Sequence, residues 1–159
     1  MSKTEAFEGV RDQIGFCGIW CGSCAVGNGA LRELTKRFEI IIKGYGLSGW
    51  GPKDFDFKEF EKGLVSIQTV PLCLGCLKGG GRTDCEIRAC ARTKKVADCS
   101  ECNRPAACKN SELLEHMRTG ASQVGIFVKT DSLDRRKLLS KWTAELESRW
   151  PSCTLFLRE

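Results

Sequence analysis

Cys17-Gly18-Ile19-Trp20-Cys21-Gly22-Ser23-Cys24 is the first of two cysteine clusters that decide how this chain folds. The second is Cys73-x2-Cys76-x8-Cys85-x4-Cys90-x8-Cys99-x2-Cys102-x5-Cys108. Together they hold all but one of the chain's 11 cysteines. Two thiolates three positions apart can bind one tetrahedral ion, because the short loop between them lets both sulfurs converge. Such CxxC pairs occur at Cys21/Cys24, Cys73/Cys76 and Cys99/Cys102. The pattern points to metal, with Cys17, Cys21, Cys24, Cys73, Cys76, Cys85, Cys90, Cys99, Cys102 and Cys108 as candidate ligands.

Composition bounds the rest. At 159 residues the chain fits a single domain over 1–159. Its parts are an N-terminal stretch 1–72, a cysteine-rich knuckle region 73–109 and C-terminal helices over 110–159. Hydrophobic residues make up 42%, enough for a modest core that cross-links must supplement. Disulfides are the alternative use of many cysteines, but they need an oxidising compartment. The start, Met1-Ser2-Lys3-Thr4-Glu5-Ala6-Phe7-Glu8, has no apolar core of a signal peptide, so a cytoplasmic location is expected. No apolar run approaches the roughly 20 residues of a membrane span, and no membrane partner is expected. An odd cysteine count and CxxC spacing in such a protein favour metal.

The formal charge of +5 raises the question of nucleic acid. Much of it lies between Cys76 and Asn110, on Lys78, Arg82, Arg88, Arg92, Lys94, Lys95, Arg104 and Lys109. Metal-bound cysteines are thiolates. Two four-cysteine zinc sites would bring the total to about +1. The basic residues are therefore read as offsetting the sites they surround, and not as a phosphate-binding face. A protein or a small molecule is the expected partner class.

Hydrophobic periodicity reads as mainly α, with at most a minor β element. Leu31, Leu34, Phe38, Ile41, Ile42 and Tyr45 share one helical face, predicting a helix over 27–45. Asp56 and Glu59 form a capping box for a second helix, with Phe55 and Phe60 as its staple and Phe57, Phe60, Leu64 and Ile67 inward. Residues 66–72 read as an extended lead into Cys73. Residues 85–95 read as a helix. Cys85 and Cys90 would diverge by about 140° on it, so Cys85 is placed before its first turn if both bind one ion. Asn110 or Ser111 caps a further helix. Val124–Val128 is a short strand or a buried connector. A last helix over 132–150, starting at Asp131-Ser132-Leu133-Asp134, ends at Pro151. Thr154–Leu157 reads as a second short strand.

The site chemistry has alternatives. Cys17-x3-Cys21-x2-Cys24 has the spacing of the radical-SAM cluster motif, but that chemistry is housed in a longer α/β barrel, and alternating strands and helices are absent here. Zinc, about two ions per chain, is the expected metal. A [4Fe–4S] cluster is the alternative, since both accept four cysteines. One zinc is assigned to Cys73, Cys76, Cys85 and Cys90. The other takes four ligands from Cys17, Cys21, Cys24, Cys99, Cys102 and Cys108. No catalytic residue is assigned. His116 lacks a recognisable partner, and Cys153, outside both clusters, reads as a small buried hydrophobe. The expected role is a binding or adaptor module with structural metal. A thiol redox protein, or an enzyme with an open three-cysteine site at Cys17, Cys21 and Cys24, is the alternative.

Four strings carry a family resemblance: Cys17-Gly18-Ile19-Trp20-Cys21-Gly22-Ser23-Cys24, Cys73-Leu74-Gly75-Cys76, Cys85-Glu86-Ile87-Arg88-Ala89-Cys90-Ala91 and Asp98-Cys99-Ser100-Glu101-Cys102. In order and residue type they resemble the domain-of-unknown-function 3795 family over roughly residues 15–118. The family closes with Pro-Cys soon after the last CxxC, whereas Pro105-Ala106-Ala107-Cys108 lengthens that spacing here. The resemblance implies a small, cysteine-rich, zinc-binding prokaryotic protein and brings no activity with it.

Overall fold

The structure, a computed structural model, describes residues 3–103, 105–149 and 155. It is mainly helical, and no sheet forms among the described residues. The helices are α1 (Lys3–Val10), α2 (Ala30–Gly44), α3 (Leu47–Trp50), α4 (Phe57–Gln68), α5 (Glu86–Lys94), α6 (Ser111–Gln123) and α7 (Arg135–Ser148). Short 3-10 turns at Cys21–Ser23, Cys76–Lys78 and Cys99–Glu101 carry the three CxxC pairs.

The helix starts follow local chemistry. Asp56 accepts from the backbone N–H of Lys58 and Glu59 at the head of α4. Only half of the expected box closes, because the Glu59 carboxylate takes the Lys62 ammonium. Phe55 does staple onto Phe60, their ring centroids 5.1 Å apart. Asp134 caps α7 through the Lys137 N–H. The buried Asn28 side chain accepts from the Ala30 N–H at the head of α2 and donates to the Gly22 carbonyl. α1 has no counterpart among the sequence expectations; its apolar residues Ala6, Phe7 and Val10 are buried.

Two expectations are corrected and one open alternative is decided. Residues 66–68 continue α4, because Ser66 and Ile67 extend its hydrogen bonding to Thr69 and Val70. Val124–Val128 is the connector of those two readings, not a strand: its one β-bridge is Ile19–Val128, and Phe127 packs into the core. The apolar stripe of α2 is not buried as a face: Ile42 is buried, but Phe38, Ile41 and Tyr45 are exposed. α2 packs on α4, and that pair is too thin to cover the stripe. Pro151, Cys153 and most of Thr154–Leu157 lie outside the described residues.

The core gathers around Trp20, which is fully buried. Its indole stacks on Trp142 of α7 at 5.9 Å and tilts against Phe127 at 5.8 Å, with Phe7, Ile14, Ala30, Leu146 and Leu155 around them. The indole N–H donates to the Arg11 carbonyl. The first cysteine cluster is thus wound about a core tryptophan, which fixes its loop independently of any ion.

Candidate metal centre

The thiols reach their places through backbone hydrogen bonds. The buried Gln13 amide donates to the carbonyls of Gly9 and Leu74, and its oxygen accepts from the Leu77 N–H. This clamps the Cys73–Cys76 knuckle onto the loop that carries Cys17 and Cys21. Gly75 must be glycine here: its φ is +83°, and a Cβ would lie 2.2 Å from the Gln13 Oε1.

As a result the two clusters interleave. Cys17 lies within electrostatic reach of Cys76 and Cys85. Cys21 lies within electrostatic reach of Cys76, Cys73 and Cys17. A Cβ on Gly27 would sit 3.0 Å from Cys73 Cβ and 3.7 Å from Cys24 Sγ, so those two cysteines flank one glycine. Cys17, Cys21, Cys24, Cys73, Cys76 and Cys85 form one group. The second group is Cys90, Cys99, Cys102 and Cys108: Cys99 has the other three as electrostatic neighbours, and all four line one cleft of about 1130 Å3.

This changes the expected pairing. Cys90 joins the late cysteines and not Cys73, Cys76 and Cys85. The cause is α5: Cys85 is its N-cap, outside the first turn as expected, while Cys90 is inside the helix. Five helical positions carry the two about 140° apart, one toward each group. The Cys17, Cys21, Cys24 triplet is likewise not isolated, because Cys73, Cys76 and Cys85 stand against it. His116 is an exposed residue of α6.

Several sulfurs accept backbone N–H bonds: Cys73 from Gly75 and Cys85 from Arg88, each at 3.4 Å. Burial raises the Cys17 thiol above its ordinary range and pushes Cys21 and Cys99 up to about 11, with Arg118 partly opposing this at Cys99. Without an ion these thiols therefore keep their protons, and an ion must displace them. Among the described residues no three His, Cys, Asp or Glu side chains stand closed into an ion-ready shell.

Cations fit the second group. The Lys94 ammonium lies 3.5 Å from Cys102 Sγ. Arg118 donates through Nε to the Cys17 carbonyl, while its buried Nη2 has no hydrogen-bond partner. A buried unsatisfied donor is costly, and Cys99 as a thiolate would give this guanidinium a charge partner. Four thiolates on one divalent ion carry about −2, which Lys94 and Arg118 match.

The knuckle Asp98–Cys102 is braced from below. The Lys129 ammonium, buried with Asp98, donates to Asp98 at 2.8 Å and to Glu101 at 3.1 Å. The Cys99 N–H donates to the Phe16 carbonyl, and the Lys129 N–H to the Gly18 carbonyl. The two thiol groups thus share one wall. Gln13, Arg118 and Lys129 had no motif to mark them, and Asp98 stood in a family string only as the neighbour of Cys99; Lys129 beside an otherwise apolar stretch, Ile126–Val128, hinted at a buried role.

Gly18 has a φ of +90°, and a Cβ there would fall 2.3 Å from the Lys129 carbonyl oxygen. Gly18→Ala should therefore cost about 1–3 kcal/mol, read by urea denaturation, with the shared wall displaced. An unchanged midpoint would show that this contact does not constrain the loop.

The sequence profile described as "Protein of unknown function (DUF3795)" matches residues 13–113. The chain belongs to this family. The match spans both thiol groups in full, from Cys17 to Cys108. No curated protein and no solved structure matches the DUF3795 chain.

Proposed function

We propose that this DUF3795 protein is a cysteine-ligated zinc protein whose metal is mainly structural and whose role is that of a binding module. The observation that carries the reading is the assembly of sequence-distant cysteines into two groups on backbone-braced knuckles, with Lys94 and Arg118 beside the second. Zinc suits all-thiolate donor sets and needs no redox partner. The uncovered apolar residues Phe38, Ile41, Tyr45 and Trp50 on α2 and α3 offer a surface for a protein partner. Among the described residues no helix is long and apolar enough to cross a membrane.

The test is elemental analysis and absorption of protein purified without oxygen. Colourless protein carrying zinc is expected. Brown protein carrying iron would replace this reading with the iron–sulfur one, and protein free of metal would remove both.

A further inference from the structure

α2 and α4 form an antiparallel hairpin, since Arg32 near the start of one reaches Gln68 at the end of the other. Six aromatic residues, Phe38, Tyr45, Trp50, Phe55, Phe57 and Phe60, fall within residues 38–60 of it. They are contiguous. Phe38 meets Phe60 edge-on at 5.9 Å, Phe60 meets Phe55 at 5.1 Å and Phe55 meets Phe57 at 4.9 Å. The Trp50 indole N–H donates to the Tyr45 carbonyl, which ties α3 to the end of α2. Gly51, next in the chain, lets Phe57 close on this turn, where a Cβ would lie 2.7 Å from its ring. Most of the surface is uncovered. Phe38, Tyr45, Trp50 and Phe55 are between 45% and 71% exposed, and the exposed Ile41 continues the stripe from Phe38 to Tyr45. α2, α3 and α4 pack chiefly on one another. A lone hairpin buries one stripe of each helix and leaves the next bare; a second hairpin laid across it completes a four-helix bundle.

We propose that this face is the interface of a homodimer, in which the α2–α4 hairpins of two chains pack into a four-helix bundle about a two-fold axis. Two observations select a second copy over another occupant. The first is charge. Residues 30–68 carry seven basic and six acidic side chains, and Arg37 with Glu33, Lys43 with Glu39 and Lys62 with Glu59 pair within the hairpin. A nucleic acid would need the chain's positive charge, most of which lies elsewhere. A two-fold contact sets one patch against itself, so it suits a face with no excess of either sign. The second is area. At about 200 Å2 for a whole aromatic side chain, the exposed parts of Phe38, Tyr45, Trp50 and Phe55 come to about 450 Å2. That is over half of the roughly 800 Å2 that each partner contributes to a stable interface, before Ile41 and the aliphatic stems of neighbouring Lys and Arg are added.

This rests on the binding half of the reading above and not on its metal half, and the experiment keeps them apart. Sedimentation equilibrium of the full chain, purified without oxygen and with its zinc content measured, should give a dimer at micromolar concentrations and above. Ile41→Lys combined with Tyr45→Lys should weaken the dimer at least about tenfold, because like charges then meet in the interface. Both positions are exposed at the C-terminal end of α2, where cations suit the helix dipole, so the fold should stand. Trp50→Lys, outside the long helices, should weaken the dimer in the same way and decides the matter if the double variant does not fold. A monomer at every concentration would overturn the proposal and leave the face to a partner of different sequence. A dimer unmoved by these variants would overturn it too, since the contact would lie elsewhere. Neither outcome touches the zinc reading; a dimer free of metal would overturn that reading and leave this one standing.

Discussion

If the chain carries zinc as proposed, chelation should strip amide-exchange protection from residues 73–108 while the Trp20 core keeps its own. Between Cys73 and Cys108 the buried hydrophobic residues, among those described, are Ile87 and Ala91. Two side chains of that size cannot offset the ordering of a segment this long, since each residue fixed costs about 1–2 kcal/mol in backbone entropy. Structural zinc supplies about 10–16 kcal/mol in small zinc-finger peptides. Here a comparable contribution would be concentrated in the knuckles. Residues 13–24 differ, because Trp20, stacked on Trp142, holds them through apolar contact that no chelator removes. Exchange measured before and after a strong chelator should therefore split the cysteines, with the amides around Cys76, Cys85 and Cys102 lost and that of Cys21 retained. Equal protection along 73–108 after complete demetallation would mean that packing, not metal, holds the knuckles.

The second large effect belongs to Lys129. Its ammonium and the Asp98 carboxylate are both withdrawn from water, at 1% and 0% side-chain exposure. Burial opposes both charges. The bonds from Lys129 and Ser100 nonetheless hold Asp98 below the usual carboxylate range, and the bonds to Asp98 and Glu101 hold Lys129 above the usual amine range. Lys129→Met should cost about 3–5 kcal/mol, because it leaves Asp98 buried and unpaired. Lys129→Met combined with Asp98→Asn should recover part of that loss, since no lone charge remains. Urea denaturation of the zinc-loaded chain measures both. A single variant as stable as the wild type would show that the pair is not desolvated. The pH signs are opposite for the two partners. Asp98 stabilises above its unfolded value and loses this as pH falls through its depressed one; Lys129 stabilises below its unfolded value and loses this as pH rises through its raised one. The pair is therefore intact at neutral pH and weakens only below about pH 4 or above about pH 10. Destabilisation on mild acidification should instead reflect protons competing with metal for the thiols.

The helical class was legible because its signals are local. The Asp56 cap and the Phe55–Phe60 staple need only neighbouring residues; Cys85 does stand before α5, but the premise that placed it there, one ion shared with Cys90, does not hold. The cysteines were legible as a set for the same reason. Their grouping was not, because it depends on Gln13 reaching across to Leu74 and Leu77, and on the way α5 points Cys85 and Cys90 apart. Neither contact leaves a periodic trace. The exposure of the α2 stripe was hidden for a different reason: a 3.6-residue period reports that one side of a helix is apolar, and says nothing about what covers it.

Cys24 and Cys73 meet at Gly27, so the chain leaves for α2 and returns from α4 through nearly the same point. The segment between them is tied to itself, with Arg32 donating to the Gln68 carbonyl and Gln68 to Glu39. It is architecturally an insertion with a closed neck. Beyond Ala30, which packs in the Trp20 core, its length and sequence should be free to change without altering the register of any thiol. Natural variation in chain length within the family should accumulate there, and a foreign helical hairpin grafted between residues 31 and 69 should leave both thiol groups assembled.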